Sequence, residues 1–122
     1  MKKIKAVIED ASIHKISDLF RRKPRGLQFN DTDALVVTAK TEDGRTVRET
    51  FYFCLKPDGT FNAETISRNG SRARRQRLAA FLRYYKIAES AKGYNIKEGI
   101  EEWKEKEVEV VSREGWDSIY IP

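Results

Sequence analysis

Residues 34–55 read ALVVTAKTEDGRTVRETFYFCL, and this stretch decides the fold class. The β-branched residues of 34–41 predict a strand. The Asp-Gly pair at 43–44 is a strong signal for a hairpin turn. Residues 46–55 are then the partner strand, so the chain is built around an antiparallel hairpin.

The partner strand has two faces of different composition, because successive side chains of a strand point to opposite sides. One face, which predicts core, carries Val47, Phe51, Phe53 and Leu55, and the other carries Arg48, Thr50, Tyr52 and Cys54. Arg48 and Tyr52 make the second face a candidate platform on which a nucleic-acid base could stack. The alternative is that Tyr52 packs as a second layer beneath a helix.

Three further strands are predicted outside the hairpin. Residues 3–9, KIKAVIE, alternate as a first strand, and residues 107–112 and 119–122 supply the fourth and fifth. Residues 10–20 are ambiguous, since their apolar spacing allows either a short helix or turn, which we favour, or a continuation of the first strand. The loop at 21–26, RRKPRG, is basic.

A helix is predicted over residues 67–86, SRNGSRARRQRLAAFLRYYK. Its apolar residues fall at helical spacing and would face a core; they are Leu78, Phe81, Leu82 and Tyr85. Ser71 is the expected N-cap, and the helix is expected to end near Ala91, with Gly93 as its terminal glycine. Asn95 then caps a second helix that directs Trp103 into the core.

Five arginines surround the start of the first of these helices: Arg68, Arg72, Arg74, Arg75 and Arg77. A helix N-terminus already carries partial positive charge, so a helix built for stability alone would have Asp or Glu there. Guanidinium groups at this end are explained by a bound anion, and phosphate is the usual one.

The overall charge also suggests a polyanionic partner. The 122 residues carry 24 Lys and Arg against 19 Asp and Glu, a net charge of +5. Residues 1–92 hold 20 basic and 11 acidic side chains, whereas residues 93–122 hold 4 and 8. A basic body of this kind is typical of nucleic-acid-binding proteins, although it could also be a solvated surface. The high Lys, Arg and Glu content resembles that of heat-adapted proteins.

Few residues are suited to catalysis. With one cysteine, Cys54, and one histidine, His14, the chain has no disulfide and little to build a metal site or a catalytic triad from. Asp31 and Asp33 are interpreted as turn residues. Asp58 with the later pair Glu102 and Lys104 imitates a metal-dependent nuclease pattern, but these two fall on a predicted helix. We therefore expect no enzyme and no cofactor, with a carboxylate nuclease as the alternative.

The order strand, strand, strand, helix, strand, strand resembles the OB-fold, a five-stranded barrel that binds oligonucleotides or oligosaccharides. We expect a single α+β domain over residues 1–122: an OB-like barrel, or another small antiparallel sheet, with one or two helices between strands 3 and 4. Two features depart from the OB pattern: no glycine precedes Gly26 to kink the first strand, and the helical connection is doubled.

The expected function is binding of single-stranded DNA or RNA by a cytoplasmic protein without a signal peptide. Aromatic stacking would come from Tyr52, Tyr120 and Trp116. The alternative for Trp116 is that its ring covers the core. The cations are Arg21, Arg22, Lys23, Arg25 and Arg48, with the helix-start arginines Arg68, Arg72, Arg74, Arg75 and Arg77. The alternative is a protein-protein interaction, in which the basic helix meets an acidic partner or the acidic end of a second copy.

Overall fold

Five antiparallel strands form a sheet that curls into a nearly closed barrel. The computed structural model describes residues 2–19, 22, 31–63 and 70–122, and the side chains of all of these except residues 70–72. The strands are β1 (Lys3–Lys15), β2 (Asp33–Thr41), β3 (Thr46–Phe53), β4 (Glu107–Arg113) and β5 (Trp116–Ile119). Their order is β3-β2-β1-β4-β5, and the two edge strands lie beside each other. The predicted α+β class and five-stranded sheet are confirmed, and the topology is compatible with an OB-like barrel.

Strand β1 is longer than predicted and joins the two halves of the barrel. Its first half pairs with β4, where Lys3 lies opposite Val111, and its second half pairs with β2, where Ile13 lies opposite Leu35. The prediction of a helix or turn directly after Glu9 was wrong, because pairing with β2 holds the chain extended as far as Lys15. Only then does the short helix α1 (Ile16–Leu19) begin.

A β-bulge bends β1 where it passes from one half to the other. Ile8 pairs with Ala39 and Asp10 with Thr38, so Glu9 is an extra residue on this strand. A bulge increases local twist and bends the strand. The bulge therefore supplies the bend that a glycine supplies in the OB pattern, which explains how a strand without glycine serves here.

Both hairpin turns use residues with positive φ. Gly44, in the β2-β3 turn, has φ of 89° and confirms the predicted hairpin. In the β4-β5 turn, Glu114 has φ of 51° and Gly115 of 84°, as in the tight turns that suit the twist of a hairpin. Because this second turn is so tight, β5 begins at Trp116, three residues earlier than predicted.

The long helix α2 (Gly70–Tyr84) packs against β3 and ends sooner than predicted. The Lys86 N–H donates to the Arg83 carbonyl (3.1 Å) and the Ile87 N–H to the Leu82 carbonyl (2.9 Å). With Lys86 at φ of 56°, these bonds form a Schellman C-cap. Ala91 and Gly93 therefore lie beyond the helix. The predicted N-cap, Ser71, lies inside the first turn.

The second predicted helix is present as α3 (Ile96–Gly99) and a 3₁₀ turn (Ile100–Glu102). Asn95 caps it as predicted, since its Oδ1 accepts from the Glu98 N–H (3.0 Å). A Cβ at Gly59, where φ is 85°, would lie 2.3 Å from that same Oδ1. Only glycine therefore allows the turn after β3 to approach the cap of α3 so closely.

The inward side chains of the strands meet α2 and the 3₁₀ turn in one core. Phe81 of α2 lies between Phe51 and Trp103, with ring centroids 5.2 and 5.5 Å away. Phe81 and Trp103 are fully buried, as predicted. On β3, Val47, Phe51 and Phe53 face inward, which confirms the predicted division of that strand into two faces.

Candidate nucleic-acid interface

The first arginines described on α2 bind a buried carboxylate of the same chain. Arg74 donates through Nε (3.1 Å) and Nη2 (2.8 Å) to one oxygen of Asp31, and Arg75 through Nη2 (3.4 Å) to the other. Asp31 lies just before β2, and its side chain is fully buried. The arginines are largely covered too, with 25% of the Arg74 side chain and 6% of the Arg75 side chain exposed.

Arg77, one turn further along α2, binds Glu49 of β3. The second oxygen of Glu49 accepts from the Ile119 N–H of β5 (3.3 Å), and the Arg77 guanidinium also lies 5.0 Å from the ring centroid of Phe51. Arg77 and Glu49 therefore link α2 to both edge strands of the barrel.

These contacts change the interpretation of the arginine-rich helix start. We expected from the sequence that these guanidinium groups would have no carboxylates beside them, and this was wrong for Arg74, Arg75 and Arg77. Arg68 and the side chain of Arg72 lie outside the described residues. Phosphate binding at this helix start remains a prediction, but the contacts seen here account for three of its arginines without any ligand.

The outer face of β1, β2 and β3 brings two predicted site residues together with others that were not predicted. Cross-strand partners share a face, so the register defines rows across the three strands. One row is Tyr52, Ala34 and His14; the next is Thr50, Val36 and Ser12; the third is Arg48, Thr38 and Asp10. We call these nine residues the outer face. Arg48 is exposed and Tyr52 half-buried, which leaves both accessible to a ligand.

The row of Tyr52 contains the only histidine of the chain. The ring of His14 is fixed by a hydrogen bond of 2.8 Å between its Nε2 and the Ser12 hydroxyl. Between His14 and Tyr52 lies Ala34, which is fully buried although it belongs to the outer face. The sequence interpretation missed His14 because it ended β1 too early; the signal was the alternation of Ser12 and His14 with Ala11 and Ile13.

Trp116 lies at the β4-β5 turn and is 78% exposed. This excludes the predicted alternative in which it covers the core. The turn is joined to the β2-β3 turn by Arg45, whose Nη1 donates to Asp117 (2.7 Å) and whose Nε donates to Asp43 (3.1 Å). A hydrogen bond from the Thr41 hydroxyl, followed by those from Arg45, lowers the pKa of the exposed Asp43.

Tyr120 belongs to a different cluster from Arg48 and Tyr52. Its ring lies 5.5 Å from that of Tyr84 and beneath the Lys3 ammonium, 4.0 Å from the ring centroid. Its carbonyl accepts from the Tyr85 hydroxyl (2.6 Å). Burial raises the pKa of Tyr85 to about 12. These contacts give Tyr120 a packing role at the end of β5.

Within the predicted basic loop, Arg22 is the one residue that the structure describes. Arg22 is exposed. Arg21, Lys23 and Arg25 lie outside the described residues, so their predicted contacts with a nucleic-acid backbone remain predictions.

The carboxylates that were considered for catalysis have structural partners. Asp33 is buried and accepts from the Leu55 N–H (2.9 Å) and the Thr32 hydroxyl (2.6 Å). Asp58 accepts from the Thr60 N–H (3.0 Å), as a turn residue does. In residues 2–19, 22, 31–63 and 70–122, no group of three His, Cys, Asp or Glu could hold a metal ion.

Comparison with known proteins adds no family to this geometry: no family model, curated protein or solved structure matches the chain. None of the helices in the part of the chain that the structure describes is long and apolar enough to cross a membrane.

Proposed function

We propose that this chain binds single-stranded DNA or RNA along the outer face of its barrel. The observation that carries the proposal is the placement of Arg48 and Tyr52 on one face of β3, with His14 in the row of Tyr52. Arg48 and Tyr52 are four residues apart, so their side chains lie about 14 Å apart along the strand.

The outer face offers both kinds of contact that such a ligand needs. Tyr52 presents an aromatic ring to a base, and Arg48 presents a cation to the phosphate backbone; Trp116 supplies a second exposed ring beyond the end of this face. Stacking of one base on one aromatic side chain contributes about 1–3 kcal/mol, so several contacts must act together. Asp10, in the row of Arg48, is the one carboxylate among the nine residues, and it lies on the far strand of that row.

The topology supports the same face. In OB-like barrels, the outer surface of strands 2 and 3 and the adjoining loops bind oligonucleotides. The strand order β3-β2-β1-β4-β5 and the adjacent edge strands are compatible with such a barrel. The net charge of +5 favours a polyanionic partner.

The first test is the salt dependence of oligonucleotide binding, measured by fluorescence anisotropy with labelled single strands. The logarithm of affinity should fall linearly with the logarithm of salt concentration, and Arg48→Gln should reduce this slope by about 1. Arg83→Gln, which removes an exposed arginine of α2, is the control. It should leave the oligonucleotide affinity and its salt slope unchanged.

The second test separates stacking from charge. Tyr52→Ala should weaken binding by about 1–3 kcal/mol with little change in the salt slope. Since Trp103 is buried and Trp116 exposed, quenching of tryptophan fluorescence on addition of the oligonucleotide would report on the Trp116 end of the site. If Arg48→Gln and Tyr52→Ala both bind like the wild type, the outer face is not the site. Salt-sensitive self-association without oligonucleotide affinity would instead favour an acidic protein partner.

A further inference from the structure

We propose that a cleft at one end of the barrel binds a phosphate monoester carried by an apolar or planar ring, the chemistry of a nucleoside monophosphate. The cleft has a volume of about 530 Å³, which lies within the range of about 300–1,000 Å³ for small-molecule sites. It is separate from the arginine-rich helix start, and it meets the outer face only at His14. The ligand could be a free nucleotide or the phosphorylated end of a bound strand, and only the second source depends on the function proposed above.

Three lysines from three parts of the fold line the cleft. Lys15 ends β1, Lys56 follows β3, and Lys97 lies in α3. Lys15 binds the buried Asp33 through a contact of 3.0 Å, so its charge is largely balanced. In the part of the chain that the structure describes, neither Lys56 nor Lys97 forms a salt bridge. These two ammonium groups are therefore the cations available to a ligand.

The nearest carboxylate in the turn belongs to Asp58, two residues after Lys56. It accepts from the Thr60 N–H (3.0 Å) and the Thr60 hydroxyl (2.7 Å), and within the described residues it forms no salt bridge with Lys56. With three lysines lining the cleft and one buried carboxylate, the local charge is positive. A phosphate monoester carries close to two negative charges at neutral pH, so it matches two lysines better than the single charge of an internal phosphodiester does.

The floor of the cleft is apolar. Ile13, Leu55 and Ile100 are half-buried residues packed against the core, and Pro57 lies beside them. A phosphate alone would leave this floor uncovered. A ligand with a ring attached to its phosphate would cover the floor and reach the lysines together, which is why we assign the cleft to a nucleotide-like molecule rather than to an inorganic anion.

The backbone segments that carry the two available lysines are held together by the fold. Asn95 donates from Nδ2 to the Asp58 carbonyl (3.3 Å), and the Lys97 N–H donates to the Gly59 carbonyl (3.3 Å). The Lys56 N–H donates to the Thr60 carbonyl (2.9 Å) and closes the turn. The backbones that carry Lys56 and Lys97 are therefore fixed relative to each other before a ligand arrives, which lowers the entropy lost on binding.

Calorimetric titration tests the cleft directly, with adenosine 5′-monophosphate as the probe and adenosine and inorganic phosphate as separate arms. The monophosphate should bind at least about tenfold more tightly than either part alone, and Lys56→Gln with Lys97→Gln should remove about tenfold of its affinity. Lys104→Gln, at an exposed lysine that does not line the cleft, is the control. Lys56→Arg with Lys97→Arg should retain binding, which separates loss of charge from loss of fold.

Oligonucleotides with and without a 5′ or 3′ terminal phosphate distinguish the two sources. A preference for one phosphorylated end that disappears in the double glutamine variant assigns the cleft to strand ends. If oligonucleotides with and without the terminal phosphate bind with equal affinity, and the monophosphate still binds, the cleft is assigned to a free nucleotide. If the monophosphate binds no better than adenosine or phosphate, or binds the double glutamine variant equally well, the inference is wrong, whether or not oligonucleotides bind the outer face.

Discussion

Asp31 is a buried carboxylate that organises the start of α2. It lies 43 residues before Arg74, and its two oxygens accept from Arg74 and Arg75. A carboxylate removed from water is tolerated when charged donors satisfy its oxygens. Removal of one member of such a buried pair is costly because the other keeps a charge without its counter-ion.

We therefore expect Asp31→Asn to lower the free energy of unfolding by about 3–5 kcal/mol, measured by urea denaturation. The matched control is Glu101→Gln, an exposed residue in the 3₁₀ turn, which should change the free energy by less than about 0.5 kcal/mol. A loss of less than about 1 kcal/mol in Asp31→Asn would show that the arginines are stabilised without this carboxylate.

At the C-cap of α2, a substitution should raise the free energy of unfolding. Lys86 adopts φ of 56°, a conformation that costs an ordinary side chain about 1–2 kcal/mol and glycine little. Lys86→Gly should therefore raise the free energy of unfolding by about 0.5–1 kcal/mol, after the added flexibility of the unfolded chain is subtracted. Lys92→Gly is the control: Lys92 is not among the described residues with positive φ, so that change should not stabilise the protein.

Single residues could be predicted from sequence where a local pattern defines their surroundings. Phe81 and Trp103 were placed in the core because they continue an apolar stripe at helical spacing. No local pattern links Asp31 to Arg74, since the pairing depends on where α2 packs against the barrel. The sequence therefore showed an excess of arginine but not the carboxylates that bind it.

At the scale of elements, the end of α2 is joined to the last two strands by Tyr85. Its hydroxyl donates to the Tyr120 carbonyl (2.6 Å) and accepts from the Glu109 N–H (3.2 Å). Burial raises the pKa of Tyr85 to about 12, above the value near 10 of an exposed tyrosine. The folded protein therefore holds this proton at a pH where the unfolded chain releases it.

The raised pKa of Tyr85 makes stability depend on pH. Below about pH 10 both states keep the proton, and the stability that Tyr85 contributes is constant. Between about pH 10 and 12 only the unfolded chain loses it, so stability falls as pH rises. Tyr85→Phe should be about 1 kcal/mol less stable at pH 9, since it loses the hydroxyl bonds, and the difference from the wild type should shrink toward pH 12. Parallel stability curves in urea denaturation over this range would contradict the assignment.

Elements set by local chemistry were predicted well, and those set by distant partners were not. The Asp-Gly turn at Gly44 and the cap at Asn95 are local signals, and both lie where the sequence placed them. The second half of β1 has mixed periodicity and is extended only because β2 pairs with it. The length of β1 was therefore not decided by its own residues.

For the whole molecule, Glu49 connects the two edge strands of the nearly closed barrel. It belongs to β3, accepts from the Ile119 N–H of β5 and binds Arg77 of α2. Edge strands that lack a partner leave backbone groups available for pairing with other chains. A carboxylate placed across the gap between β3 and β5 satisfies one of these groups and holds the two edges together.

We expect Glu49→Gln to lower the free energy of unfolding by about 1–3 kcal/mol and to accelerate hydrogen exchange at the Ile119 amide, measured by NMR. Glu107→Gln, which breaks only the exposed contact of 3.8 Å with Lys5, should cost less than about 1 kcal/mol and leave exchange at Ile119 unchanged. Unchanged exchange in Glu49→Gln would mean that the barrel closes without this side chain.

The candidate site was predicted in part. Arg48 and Tyr52 were selected because alternation along β3 placed them away from the core, and the structure confirms that orientation. His14 and the lysine-lined cleft were not predicted, because they depend on the length of β1 and on the approach of α3 to the turn at Gly59. The sequence indicated an excess of basic residues and several aromatic ones, and the register shows which of them share a surface.

The double role of β1 has a consequence for synthesis on the ribosome. Residue 3 of β1 pairs with residue 111, far along the chain, whereas residue 13 pairs with residue 35. A nascent chain can therefore pair residues 6–15 of β1 with β2 early, whereas the edge of residues 3–7 that faces β4 has no partner until β4 has been synthesised.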